Sequence, residues 1–363
     1  MQRPEDTTLR VLCELATPEQ IRAWARTGAA LAPDVKTNLH VHLPPNYSAF
    51  ESVEQAIELA RQQDIRVLGA SNYYDFHVYR AFVDLAVQRG VFPICGLEIV
   101  LRMDECARAG TLINDAGNPG KMYLCGKGIT RFDAMTPTAR ELLERVRRND
   151  EDRMERMVER IAAIFLDAGV ATDLVAQRII EQIAQRYGCL PSHVVLQERQ
   201  VAAAFQEALF DRVPAAERSE RLTQMFETKP ASAPDDPGGI QAEIRTHLMK
   251  AGKPAFVEEQ FIDFADARRL ILELGGIPCY PTLADGAKQI CEYERPVAEL
   301  IGRIQGLGLH CAEFIPVRNT PEVLTKYVLS MRSAGIVVTA GTEHNTPDLL
   351  PLAPTCLKGA PIP

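Results

Sequence analysis

The chain has 363 residues, 46% of them hydrophobic and 24% charged, with a formal net charge of −8. These values describe a globular protein with a sizeable core and exclude disorder. The acidic balance argues against broad attraction to nucleic acid or to an anionic membrane surface. No apolar run reaches the roughly 18–20 residues of a transmembrane helix, and the opening MQRPEDTTLR lacks the basic-then-apolar layout of a signal peptide. A cytoplasmic protein with no membrane partner is therefore expected. Its nine cysteines form an odd set without a C-x-x-C pair, several in apolar runs such as VFPICGLEIV, which reads as buried free thiols.

Residues 7–31 carry a helical pattern, with Thr17 as a candidate N-cap before a proline at the first helical position, and residues 1–35 read as an N-terminal helical extension. From residue 36 the rhythm alternates: strand TNLHVHL, helix SVEQAIELARQQ, strand IRVLGASNY, helix HVYRAFVDLAVQRG, strand VFPICGLEIVLRM. Such alternation predicts right-handed βαβ units and a parallel sheet over 36–136. Residues 137–250 break the rhythm with charge-laced helical stretches and almost no strand signal, and read as a helical insertion. Within it KPASAPDDPGG, residues 229–239, is the candidate linker. Over 251–363 the alternation resumes, ending in strand IVVTAG and the segment TEHNTPD.

Side chains two apart on a strand share a face, so His40 and His42 in NLHVHL could present two imidazoles to one ion. Parallel α/β proteins build their sites at the carboxyl ends of strands. At those ends lie Asn72, Tyr73, Asp75 and His77, then Glu98 among apolar neighbours, then Tyr123 and Lys127, Tyr280, Glu313 and Arg318, and finally Glu343, His344 and Asn345. The blander alternatives are a packed histidine pair, and structural carboxylates at Glu98 and Glu343 balanced by Lys127 or Arg318.

The order of these pieces resembles the PHP (polymerase and histidinol phosphatase) family of metal-dependent phosphoesterases. The matching stretches are NLHVHL, GLEI, the run GKPAFVEEQFIDFADARRLILELGGIPCYP, then GLHCAEFIPVRNTPE and VVTAGTEHN, which span about residues 36–350. The resemblance implies a distorted (β/α)7 TIM-like barrel with a helical insertion and a metal cluster at the strand ends. Several family ligands are replaced: Asn72 and Tyr73 stand for an aspartate and a histidine, Tyr123, Tyr280, Asn319 and Asn345 for histidines, and Glu343 for an aspartate. The reduced set implies one divalent ion, Zn²⁺, Mn²⁺ or Fe²⁺, held by His40, His42, Glu98 and Glu343. Asp75, His77 and His344 are the candidate catalytic proton carriers. Lys127, Arg318, Tyr73, Tyr123, Tyr280 and Asn345 are the candidates for binding a small anionic substrate. The expected activity is metal-dependent hydrolysis, with two alternatives: a one-metal enzyme on a sugar acid or lactone, or a non-catalytic ligand-binding barrel. Oligomeric state is not legible.

Overall fold

The structure, a computed structural model, describes residues 35–346 and 348–363. Apart from Val35, the expected N-terminal extension lies outside these residues. The described chain forms two compact units, one of residues 35–44, 48–144 and 261–363, the other of 45–47 and 145–260.

The first unit opens with β1 (Thr37–Val41), α1 (Val53–Gln62), β2 (Val67–Ala70), α2 (Tyr79–Gln88) and β3 (Phe92–Arg102). Helix α1 starts where Ser52 accepts a bond from the Gln55 amide. Its apolar residues Ala56, Ile57 and Ala60 recur on one buried face. After β3 comes α3 (Asp104–Arg108), a single turn, and then β4 (Lys121–Lys127).

Strand β4 departs from the parallel expectation, because it runs antiparallel to β3. A five-residue helix spans roughly 7–8 Å. It is too short to serve as the crossover helix that packs along a strand of eleven residues, about 36 Å, in a parallel βαβ unit. The chain doubles back instead, and the Met103 amide bonds the Gly120 carbonyl at 2.8 Å to close the hairpin.

The second unit is helical: α4 (Pro137–Asp167), whose residues divide between the units after Glu144, then α5 (Ala176–Tyr187), α6 (Glu198–Arg212), α7 (Ala215–Phe226) and α8 (Pro237–Ile244). Its core includes Met157, Ile161, Phe165, Phe205, Leu209 and Ile244. Residues 45–47 belong to it: Gln200 Nε2 donates to the Pro45 carbonyl and the Tyr47 amide donates to Gln197 Oε1, both at 2.7 Å. The segment expected as a linker is folded into this unit. Asp236 caps α8 through the Gly239 amide, and Glu243 Oε1 accepts from the amides of Ala231 and Ser232. Proline and small residues mark capping and turning here rather than a tether.

The barrel then resumes with β5 (Ile262–Asp263), α9 (Phe264–Glu273), β6 (Ile277–Thr282), α10 (Val297–Gly306), β7 (Cys311–Phe314), α11 (Pro321–Ser333) and β8 (Val337–Ala340). Seven strands follow one another in the order β1-β2-β3-β4-β6-β7-β8, with β5 added beside β3. A bridge between Val41 and Glu343 brings the segment after β8 back to β1, so the fold is a nearly closed seven-strand α/β barrel. The Thr342 and Glu343 amides donate to the His40 carbonyl, and the His42 amide donates to the Glu343 carbonyl. Gly341 is required at this seam, since a Cβ there would lie 2.2 Å from His40 Cβ. Among the described residues all eight cysteines are free thiols, and no helix is long and apolar enough to cross a membrane.

A second buried polar cluster fastens the loop after β6. Glu294 is fully buried and accepts from Tyr280 Oη at 3.0 Å and from the amides of Leu283 and Ala284. Burial outweighs these three donors and raises its pKa from 4.5 to about 7. Between those two values the folded chain holds a proton that the unfolded chain has lost. The stabilisation from Glu294 is therefore complete below about pH 4.5 and is lost as pH rises through 7. Relative to Glu294→Gln, the wild type should lose about 3 kcal/mol of stability across that window. Urea unfolding of both proteins at about pH 5 and about pH 8 measures the difference; parallel pH profiles would remove this assignment.

Candidate metal centre

The bend of β1 into the barrel puts His40 and His42 on one face, both buried, with their Nε2 atoms 3.4 Å apart. Glu98 arrives from the middle of β3. Its Oε2 lies 3.2 Å from His42 Nε2 and 3.5 Å from His40 Nε2. Four ligands around an ion at bond lengths of ~2.0–2.1 Å stand roughly 3.3–3.4 Å from one another, so the triangle has the size of one face of a tetrahedral site. Glu98 Oε2 is buried with no hydrogen-bond donor, and His42 Nδ1 is likewise without a partner. A buried carboxylate oxygen facing two imidazole nitrogens is costly unless a cation sits among them. The donor set, two imidazoles and a carboxylate, suits Zn²⁺, Mn²⁺ or Fe²⁺.

Behind this triangle runs a chain of buried charge. His40 Nδ1 is 2.7 Å from Glu313 Oε2, and Glu313 Oε1 is 2.6 Å from Lys127 Nζ. The Lys127 ammonium also donates to the Leu39 carbonyl at 2.9 Å and to Ser71 Oγ at 3.1 Å. Gly96 makes room for that serine, because a Cβ there would lie 2.8 Å from Ser71 Oγ. Burial opposes every charge in the group, yet the partners prevail. Lys127 and His40 hold Glu313 down to about 2. Burial would lower His40, but Glu313 raises it well above its ordinary value. The two imidazoles likewise hold Glu98 well below the usual carboxylate range. With its Nδ1–H given to Glu313, it is the His40 Nε2 proton that an incoming ion would displace, which would turn that lone pair to the triangle.

At the rim, Glu343 bonds Arg318 Nη2 and accepts from Asn345 Nδ2 at 2.8 Å. Glu343 and His344 both have positive φ, 61° and 53°, held by the seam bonds to β1. Neither is glycine, so backbone strain is concentrated beside the candidate ligands. The Arg318 side chain is 42% exposed and the Glu343 side chain 11%. The Glu343 carboxylate is directed to this pair and is not among the atoms of the His40–His42–Glu98 group. Tyr73 stacks on His42, with ring centroids 5.2 Å apart and planes 13° from parallel, and its hydroxyl is hydrogen-bonded to Glu98. Burial and the Glu98 charge push that phenol's pKa well up. Tyr123 lies close to both Tyr73 and Arg318.

The remaining sequence candidates lie elsewhere or are engaged. Tyr280 sits on the opposite face of β6 from Cys279, in the Glu294 cluster. His344 has both ring nitrogens in bonds, Nδ1 with Thr342 Oγ1 at 2.7 Å and Nε2 with the Leu350 carbonyl at 2.8 Å, and stacks on Phe50. Asp75 is buried and holds His77 Nδ1 at 2.5 Å, while the His77 side chain is 49% exposed. All three donors of Lys127 are taken within the protein, which leaves it none for a substrate. Glu313, at the centre of the charge chain, is absent from the sequence-derived metal and substrate sets. Its signal was a lone acid in an apolar strand, CAEF.

No family model and no curated protein matches the chain. Among solved structures it is similar to an amidohydrolase from Chromobacterium violaceum, determined with bound sulfate and no metal. That likeness has a TM-score of 0.57 and 17% identity over 89% of this chain and 94% of the other. It is also similar to a candidate metal-dependent phosphoesterase from Bifidobacterium adolescentis, with a TM-score of 0.58 and 14% identity over 88% and 91% of the two chains. At such identities these likenesses establish a shared barrel fold.

Proposed function

We propose that the barrel is a metal-dependent hydrolase of the PHP type acting on a small anionic substrate, a phosphoester first. The observation that carries this reading is the buried triangle of His40 Nε2, His42 Nε2 and Glu98 Oε2, with its donorless carboxylate oxygen. The order of strand-end motifs supports the family, and the metal-dependent phosphoesterase among the similar structures supports the chemistry. What a bound divalent ion supplies at such a centre is Lewis acidity toward a water and toward the scissile group.

The protein's own groups take the other roles. Glu313 fixes the tautomer and the aim of His40, and Lys127 keeps Glu313 ionised. Lys127 is thus a positioning residue rather than a substrate contact. Arg318, exposed at the rim, presents a planar fork to a phosphate or carboxylate, with Asn345 and the phenols of Tyr73 and Tyr123 as neutral donors. The Asp75–His77 pair is the proton carrier, since Asp75 orients an imidazole that reaches solvent, whereas the ring nitrogens of His344 are engaged. The same rim suits a carboxylate-bearing ester or lactone, so that class belongs in the substrate panel.

Elemental analysis of desalted protein after exposure to Zn²⁺, Mn²⁺ and Fe²⁺ should find tightly held metal. His40→Ala with His42→Ala should abolish it; unchanged metal content in the double variant would sink the reading. Glu313→Gln should lower metal affinity about 10–100-fold without changing the ligands, as measured by equilibrium dialysis. Arg318→Ala should keep its metal but raise KM for phosphoesters about 10–100-fold, the worth of a hydrogen bond to a charged group. An unaltered KM would remove Arg318 from the substrate site.

A further inference from the structure

Among the described residues two groups of ligand-type atoms overlap in the barrel, His40–His42–Glu98 and His40–Cys125–Glu313. We propose that the second group is a latent divalent-cation site kept closed by the Lys127 ammonium, so that the barrel takes one ion rather than two. This rests on the metal-centre reading and deepens it.

Lys127 Nζ lies 2.6 Å from Glu313 Oε1, with its remaining donors on Leu39 and Ser71. The positive charge that Glu313 demands is therefore already present. An ion on the same carboxylate would stand beside an ammonium in a buried setting, where like charges repel strongly. The Lys127 side chain is 7% exposed and that of Glu313 fully buried, so solvent does not screen the pair. His40 supplies a second barrier. Its Nδ1 faces Glu313 while its Nε2 faces Glu98. Two ions on opposite nitrogens would require the ring to lose its last N–H proton and bridge them as an imidazolate.

Cys125 completes the latent group. It stands directly opposite Glu98 across the β3–β4 pairing and interacts with the His40 ring. Its thiol is fully buried, with a ligand atom within reach of both His40 and Glu313. A cation entering in place of the ammonium would expel two protons to solvent, one from His40 Nδ1 and one from the Cys125 thiol, and gain a nitrogen, a sulfur and an oxygen ligand. In the first group no ammonium takes the place of the ion: Glu98 Oε2 faces the two imidazole Nε2 atoms and accepts no hydrogen bond.

The test uses Co²⁺ with the purified full chain under reducing conditions. It reads bound cobalt per chain after desalting and the near-ultraviolet absorption of a cobalt–thiolate bond. Wild type should hold one cobalt with no thiolate absorption. Lys127→Ala should hold more than one and show that absorption, and Lys127→Ala with Cys125→Ala should lose it. A folded Lys127→Ala that still holds one cobalt without thiolate absorption overturns the proposal. If that variant does not fold, the wild type decides: two cobalt ions, or thiolate absorption, overturn it, and one ion without such absorption supports it. No cobalt in wild type, confirmed with Zn²⁺ and Mn²⁺, removes the metal-centre reading itself and this inference with it.

Discussion

The candidate centre depends on one buried chain of alternating charge, from the Lys127 ammonium through the Glu313 carboxylate to the His40 imidazole. Each member alone would be expensive to bury, and together they satisfy one another. The chain spans strands that are far apart in sequence: Lys127 ends β4, Glu313 lies within β7 and His40 within β1. Removing any one member would leave a buried charge uncompensated, so the three residues specify a single arrangement of these strands. The aim of His40 Nε2 at Glu98, on which the triangle relies, is a product of that arrangement.

The antiparallel β4 serves the same end. Reversing one strand places Lys127 opposite Gly96, near the start of the barrel segment of β3, from where its long side chain reaches Leu39 and Ser71. A parallel strand would run its sequence the other way along the barrel and carry Lys127 toward the opposite end. The reversed strand also aligns Glu98 with Cys125 and Cys125 with Cys279, so carboxylate and thiols stand side by side on adjacent strands.

Much of this was legible in the sequence. The H-x-H spacing implied two imidazoles on one face, and Glu98 was conspicuous as an acid in an apolar run; the structure joins all three. Strand and helix alternation implied βαβ units, and the family resemblance implied the barrel. Less was legible where tertiary partners decide. The expectation for Tyr280 followed motif alignment, while the alternation along β6 turns its ring outward to Glu294. His344 lies one residue from Glu343 and was grouped with it, but two consecutive positive-φ residues rotate the imidazole into bonds with Thr342 and Leu350. Lys127 read as a substrate-binding cation, or as a partner of Glu98 or Glu343, because no local signal reveals that its counter-ion is 186 positions away, at Glu313. The proline- and glycine-containing segment 229–239 suggested a tether, and its capping role emerged only with Glu243 and Asp236 in place.

The seam between β1 and the segment after β8 has a thermodynamic meaning. Its backbone bonds fall on His40, His42 and Glu343, so the peptide groups that close the barrel belong to two of the candidate ligands. A local opening of this seam displaces both imidazoles from Glu98 at once. An occupant bridging the triangle would hold the seam shut. Ion binding and the stability of the barrel's closing edge would then be linked by mass action.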